Sequence, residues 1–259
     1  RVFLLLAAAV AAVTCLGVGN VGVANVQFNF NSDADGWEFG TIPPLSGTAP
    51  YWEWHKEPSS TDGGLRSLLV ASGTGVGAWA MSPCLEVSKN PSQDFVHVDI
   101  SHFTAFPGGI LGQVQFRIDA TGTGWGAWQG ISGTSWSTVN HVAPTEASVF
   151  PPLLESPGAP PNTWLAFSGT HNSTTDPGSI SSGQHILSSF DLPLTTYGLT
   201  DGSDIQFRFV VGVNDTFPTR SPPDVLWEVN DVQVIGVKVC AVPEPGTLAL
   251  AGVALACGL

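Results

Sequence analysis

Gln113-Val114-Gln115-Phe116-Arg117-Ile118-Asp119 decides the fold. Apolar Val114, Phe116 and Ile118 alternate with polar Gln113, Gln115, Arg117 and Asp119. This period of two sends one set of side chains to a core and the other outward, as in a half-buried strand. Phe95-Val96-His97-Val98-Asp99-Ile100-Ser101 and Asp204-Ile205-Gln206-Phe207-Arg208-Phe209 repeat the pattern. Further strands are expected at 26–31, 36–40, 51–56, 66–71, 76–81, 84–88, 163–168, 185–190 and 225–239, separated by clusters of Gly, Pro, Ser and Asp. No segment between residues 25 and 241 carries a helical period. Many short strands without helices predict an all-β fold, an antiparallel β-sandwich of the jelly-roll kind. Residues 132–162, with Pro144, Pro151, Pro152, Pro157, Pro160 and Pro161, read as a long surface excursion.

Composition agrees with this reading and limits function. The 259 residues include 30 Gly and 20 Pro, which disfavour long helices. Charged residues make up 11%, against about 25% in ordinary soluble domains. Lys and Arg number 8 against 21 Asp and Glu, a net charge of −13, which excludes a nucleic-acid partner that needs clustered cations. Nine Trp and 14 Phe supply a core.

Both ends differ from this domain. Behind Arg1, Val2-Phe3-Leu4-Leu5-Leu6 opens an uncharged run of mostly Ala and Val, and the small residues Gly22 and Ala24 precede Asn25. That is the layout of a secretory signal peptide over residues 1–24. At the other end, Val242-Pro243-Glu244-Pro245-Gly246 is a stiff, helix-averse hinge before an uncharged run to Leu259. The apolar run reads as the start of a membrane-spanning sorting helix, shorter as given than the ~20 residues a span needs. The domain between is residues 25–241, and all of the net charge belongs to it, because the flanks contribute only Arg1 and Glu244. Within it, only Cys84 and Cys240 remain. Two cysteines in an exported domain commonly pair, and these stand at the start of one strand and the end of the last. Two free thiols are the alternative.

Pro243, Glu244 and Pro245, followed by an apolar segment over 242–259, resemble the PEP-CTERM sorting signal of Gram-negative bacteria, here without the terminal Arg cluster. The resemblance implies secretion or a cell-surface location, transient contact with the inner membrane, and exosortase as a partner. A second resemblance spans most of 28–239. Phe28-Asn29-Phe30-Asn31 with Asp35-Gly36-Trp37, Ser82-Pro83-Cys84-Leu85-Glu86-Val87-Ser88, Gly108-Gly109, Gly124-Trp125-Gly126-Ala127-Trp128, Ser189-Phe190-Asp191-Leu192 and Trp227-Glu228-Val229-Asn230-Asp231-Val232 are similar to motifs of the MAM-like and galactose-binding-like jelly rolls of secreted bacterial proteins. It places Trp37 and Trp227 in the core. It also implies structural Ca²⁺ between the opening and closing strands, held by Asn31, Asp33 and Asp231 with Asp35 and Asn230 beside them. Val225, Trp227 and Val229 switch parity to Val232 and Val234, and a bulge near Asn230-Asp231 explains the switch.

Catalytic motifs are scarce. Glu53 and Glu57 have the spacing of a carboxylate pair, but the pattern of the sandwich-fold glucanases is missing around them. The chain has no G-x-S-x-G elbow, no H-E-x-x-H and no C-x-x-C. No catalytic residue is assigned. Stacking on sugar rings is the better-supported chemistry, with Trp52, Trp54, Trp125, Trp128 and Trp136 as candidates. The expectation is an exported, non-catalytic surface or extracellular-matrix protein that binds carbohydrate, with extracellular polysaccharide as its partner. The alternatives are a glycoside hydrolase or polysaccharide lyase on the same fold, and a purely structural matrix protein.

Overall fold

The structure, a computed structural model, describes residues 24–42, 51–56, 63–69, 77–89, 93–106, 110–120, 122–139, 141–144, 146–147, 165–171, 185–213 and 224–241. The expected signal peptide, the Pro243-Glu244-Pro245 motif and Glu57 lie outside these residues. In chain order the strands begin with β1 (Asn25–Phe28), β2 (Glu38–Ile42), β3 (Tyr51–Lys56), β4 (Gly63–Leu69), β5 (Gly77–Met81) and β6 (Leu85–Val87). Then come β7 (Phe95–Phe106), β8 (Ile110–Asp119), β9 (Gln129–Gly130), β10 (Glu146–Ala147) and β11 (Leu165–Ala166). The last are β12 (Gly169–His171), β13 (Ile186–Pro193), β14 (Asp204–Val213), β15 (Asp224–Ile235) and β16 (Val237–Val239). The α-helix among the described residues is a single turn, α1 (Leu194–Tyr197), closed by Gly198 in the left-handed region at φ 65°.

Two antiparallel sheets of seven strands form an all-β sandwich. The first runs β12-β7-β15-β4-β3, with β13 also on β7 and β1 also on β15; the second runs β16-β6-β14-β5-β2, with β8 on β14 and β9 on β8. The alternating stretches become the long central strands. Val96, Val98 and Ile100 of β7 face Val114 and Phe116 of β8 and Phe207 and Phe209 of β14 across one buried core. Trp37 and Trp227 lie in that core, as the motifs implied.

Trp227 is its centre. Its ring meets Phe209 at 5.3 Å, Phe167 at 5.6 Å, Phe106 at 5.8 Å and Trp52 at 5.9 Å. Its indole Nε1–H donates to Nδ1 of buried His102 at 3.2 Å. With Nδ1 accepting, the His102 proton sits on Nε2 and is donated to Ser188 Oγ at 2.7 Å, and that hydroxyl donates to the Val142 carbonyl. This relay joins β15, β7, β13 and the segment after β9 inside the core. Burial, and secondarily His171 and His185, push the His102 pKa down to about 3, so the relay carries a neutral imidazole.

The parity switch in β15 is a bulge. Val229 pairs with His102 and Asp231 with Ser101, leaving Asn230 as the extra residue. The bulge turns the neutral Asn230 inward, while Asp231 stays half-buried. The described part of 132–162, expected as surface excursion, instead buries Trp136 and Val142, next to buried Ile131. The backbone of this segment runs along β13, with Ser137 N–H donating to Ser189 O at 2.9 Å and Val142 N–H to Leu187 O at 2.9 Å. Prolines marked an irregular path but not its burial.

Candidate functional site

The added edge formed by residues 136–142 leaves a cavity of about 530 Å³ against the outer face of the first sheet. Strand alternation positions its floor. Val96, Val98 and Ile100 point into the core, so His97 and Asp99 point out; Phe190 and Leu192 point in, so Ser189 and Asp191 point out. The β7–β13 register sets Asp191 directly opposite His97. Thr134, Ser135, Trp136, Ser137 and His141 form the opposite wall.

His97 organises the floor. Its Nδ1 bonds Asp191 Oδ1 at 2.7 Å and its Nε2 bonds Asp99 Oδ1 at 3.1 Å. Satisfying both carboxylates takes both ring protons, so the ring is an imidazolium. The hydrogen bond to Asp99 raises its pKa most, burial opposes, and the bond to Asp191 adds, bringing it to about 9. The second oxygen of each carboxylate remains an acceptor. His141 Nδ1 donates to Val139 O at 2.6 Å and stands 3.4 Å from Ser137 Oγ. The site therefore offers two carboxylates, a fixed imidazolium and four hydroxyls. It suits a ligand that presents many hydroxyls. With both nitrogens engaged, His97 is poorly placed as a general base.

The pair of histidines predicts a peaked pH profile. His97 has a folded pKa above the ordinary 6.5, so its contribution is complete below 6.5 and lost as pH rises through about 9. His102 has a folded pKa below 6.5, so stability falls as pH drops from 6.5 toward 3 and the unfolded chain takes the proton. Thermal melts should peak near neutral pH. His97→Gln should remove the alkaline decline, about 1 kcal/mol after allowance for solvent screening, and leave the acid decline in place. An unchanged alkaline decline in that variant would exclude the His97 assignment.

The candidate tryptophans separate. Trp52 and Trp136 are 4% and 6% exposed, packed on Trp227 and on Phe167 and Phe190, so neither offers a ring to a ligand. Trp54 packs against the core and donates its Nε1–H to Phe30 O at 2.7 Å. It braces the opening loop, where the same carbonyl approaches Gly63 so closely that a Cβ there would lie 2.0 Å from it. Trp125 and Trp128 remain half-exposed over the second sheet. Burial runs against the expected stacking role for Trp52 and Trp136, although Trp136 does line the cavity through its position; Trp54 is half-buried.

The residues expected to hold Ca²⁺ do not fit it. Asp35 Oδ2 accepts the backbone N–H of Asn29 at 2.9 Å and of Phe30 at 2.8 Å, and Asp33 Oδ1 accepts that of Asp35 at 2.7 Å. Asn31 Oδ1 accepts Gly63 N–H at 3.3 Å, while Lys56 Nζ donates to the Asn31 carbonyl at 2.6 Å. An ammonium thus holds a place where Ca²⁺ would need oxygen. The Asp33, Asp35 and Asp231 carboxylates do not converge; among the described residues the one group of three His, Cys, Asp or Glu whose ligand atoms lie close enough to share a metal is Cys84, Asp204 and Cys240. Its two sulfurs are joined in a disulfide, with Cα atoms 5.4 Å apart. The pairing of β16 with β6 brings them together, since Val239 lies opposite Leu85 and Cys240 N–H donates to Cys84 O at 3.1 Å.

The cavity left no local trace in the sequence. The one available signal was that outward positions His97, Asp99 and Asp191 of the 95–101 and 189–191 strands are ionisable. No protein-family model matches the chain, and no curated protein matches it, so its likeness to known sandwiches rests on the motifs quoted above.

Proposed function

We propose that the chain is an exported, non-catalytic jelly-roll β-sandwich that binds a neutral carbohydrate in the His97–Asp99–Asp191 cavity. The observation that carries this reading is the cavity's chemistry. Paired carboxylates accept sugar hydroxyls, serine and threonine hydroxyls donate or accept, and the imidazolium fixes the carboxylates before a ligand arrives. A volume of about 530 Å³ accommodates one or two sugar rings. Export is supported by the apolar leader and by the disulfide, which belongs to an oxidising compartment. Sorting by exosortase, with transient passage through the inner membrane to the surface or polysaccharide matrix, is the role the Pro243-Glu244-Pro245 motif suits.

A glycan array of neutral oligosaccharides, combined with a reducing-sugar assay, tests the reading. Binding without release is expected, weakened about tenfold or more by Asp191→Asn, the cost of one charge-assisted hydrogen bond. Release of reducing sugar would replace this reading with a hydrolase. Neither binding nor release would leave a structural matrix protein.

A further inference from the structure

The outer face of the second sheet carries two cations held by neutral partners. Gln206 pairs with Arg117 across β14 and β8, and Arg208 pairs with Gln115, so the two arginines are diagonal neighbours on one face. Arg117 donates from Nε and Nη2 to Gln206 Oε1 at 2.9 and 2.6 Å, and Arg208 donates from Nε to Gln115 Oε1 at 2.7 Å. Both guanidinium groups lie over the Trp128 ring, at 4.6 and 4.2 Å from its centroid, and Arg117 lies 4.8 Å from that of Trp125.

Glutamine is the informative choice. It presents the same carbonyl to an arginine that glutamate would, but leaves the charge in place. Among the described residues neither arginine forms an ion pair, although Glu38 is near enough to favour the Arg117 charge. In a chain of net charge −13 with only 8 Lys and Arg, two adjacent cations without a carboxylate bonded to them among the described residues run against the composition. Burial, and then Arg117, lower the Arg208 pKa to about 9, the mark of a charge lacking its counter-ion. Arg117 Nη1 and both Nη atoms of Arg208 have no acceptor among the described residues. These unused donors match the in-plane fork that arginine offers a carboxylate.

We propose that this face is a second binding site, where Arg117 and Arg208 receive the carboxylates of an acidic polysaccharide beside Trp125. The carboxylate part stands on the arginine pair alone; the saccharide part rests on the proposed function. Affinity electrophoresis of the intact protein in gels containing polygalacturonate, dextran or poly-aspartate provides the test. Retardation is expected in polygalacturonate, reduced about tenfold or more by Arg208→Gln. Gln206→Glu supplies the missing carboxylate from within. It should reduce retardation equally; because Gln206 Nε2 also donates to the Ser82 carbonyl at 3.2 Å, a bond glutamate cannot make, circular dichroism and a cooperative melt are read alongside, so a loss through misfolding is told apart. The repulsion of a polyanion by the rest of the molecule is screened as the Debye length falls from about 30 Å at 0.01 M salt to about 8 Å at 0.15 M. Retardation should therefore hold or grow across that range. Equal retardation by poly-aspartate would overturn the saccharide assignment. Indifference to polygalacturonate, or retention that survives Gln206→Glu, would overturn the site, whatever the neutral glycan array shows.

Discussion

Trp227→Ala should cost about 5 kcal/mol, close to the whole stability of an ordinary domain. The side chain is fully buried, so its removal opens a cavity lined by Phe106, Phe167 and Phe209. Truncating a buried Trp commonly costs about 3–5 kcal/mol on these grounds. The variant also strips the donor from His102 Nδ1, leaving a buried acceptor unpaired for about 1–3 kcal/mol more. Trp227→Phe narrows the comparison, because it keeps a six-membered ring in the core while removing the pyrrole part with its N–H; about 2 kcal/mol is expected. Urea unfolding of both variants measures the difference. An alanine variant within 1 kcal/mol of the parent, on a scale where Trp→Ala usually costs about 3–5, would refute the central place given to this residue.

Loss of the Cys84–Cys240 link should have a comparable effect. The two residues are 156 apart in sequence, and closing so long a loop restricts the unfolded chain by about 5 kcal/mol on the entropic account. Residual structure in the unfolded chain lowers that figure, so about 4 kcal/mol is the expected loss in a Cys84→Ser/Cys240→Ser double variant. The parent protein should lose a similar amount on adding reductant, and the double variant should be indifferent to it. Quantitative alkylation of both thiols in native protein without reductant would show that the link does not form.

The parts of the fold that were legible are those set by adjacent residues. Alternation over 95–101, 113–119 and 204–209 located the central strands, which run further as Phe95–Phe106, Ile110–Asp119 and Asp204–Val213, and the parity switch at Val229–Val232 located the bulge. What alternation could not supply is which side of a strand a neighbour covers. Trp52 and Trp125 look alike in sequence, yet one meets Trp227 and Phe209 across the sandwich while the other rests on Arg117. The cavity was hidden for a similar reason. His97 and Asp191 are 94 residues apart, and only the β7–β13 register makes them neighbours. Ile131, Trp136 and Val142 follow neither a period of two nor one of 3.6, so their burial gave no periodic signal. The Ca²⁺ expectation rested on residue type and spacing, which do not show that the opening-loop carboxylates accept their own backbone N–H groups and stand apart from Asp231.

The disulfide has a mechanical consequence. β16 is three residues long at the edge of its sheet, and a pull on the chain beyond Ala241 would peel such a strand away one hydrogen bond after another. Cys240 stands between that pull and β16, and its bond to Cys84 carries tension directly across to the residue before β6. For a load applied between the first strand and the chain beyond Ala241, the covalent path runs through residues up to Cys84, crosses the sulfurs and leaves at Cys240. Everything between the two cysteines, including both proposed binding faces, hangs outside that path as a closed loop. Stretching would draw out only β1 to β5, and strands β7, β8, β13 and β14 would not lie on the covalent path of the load.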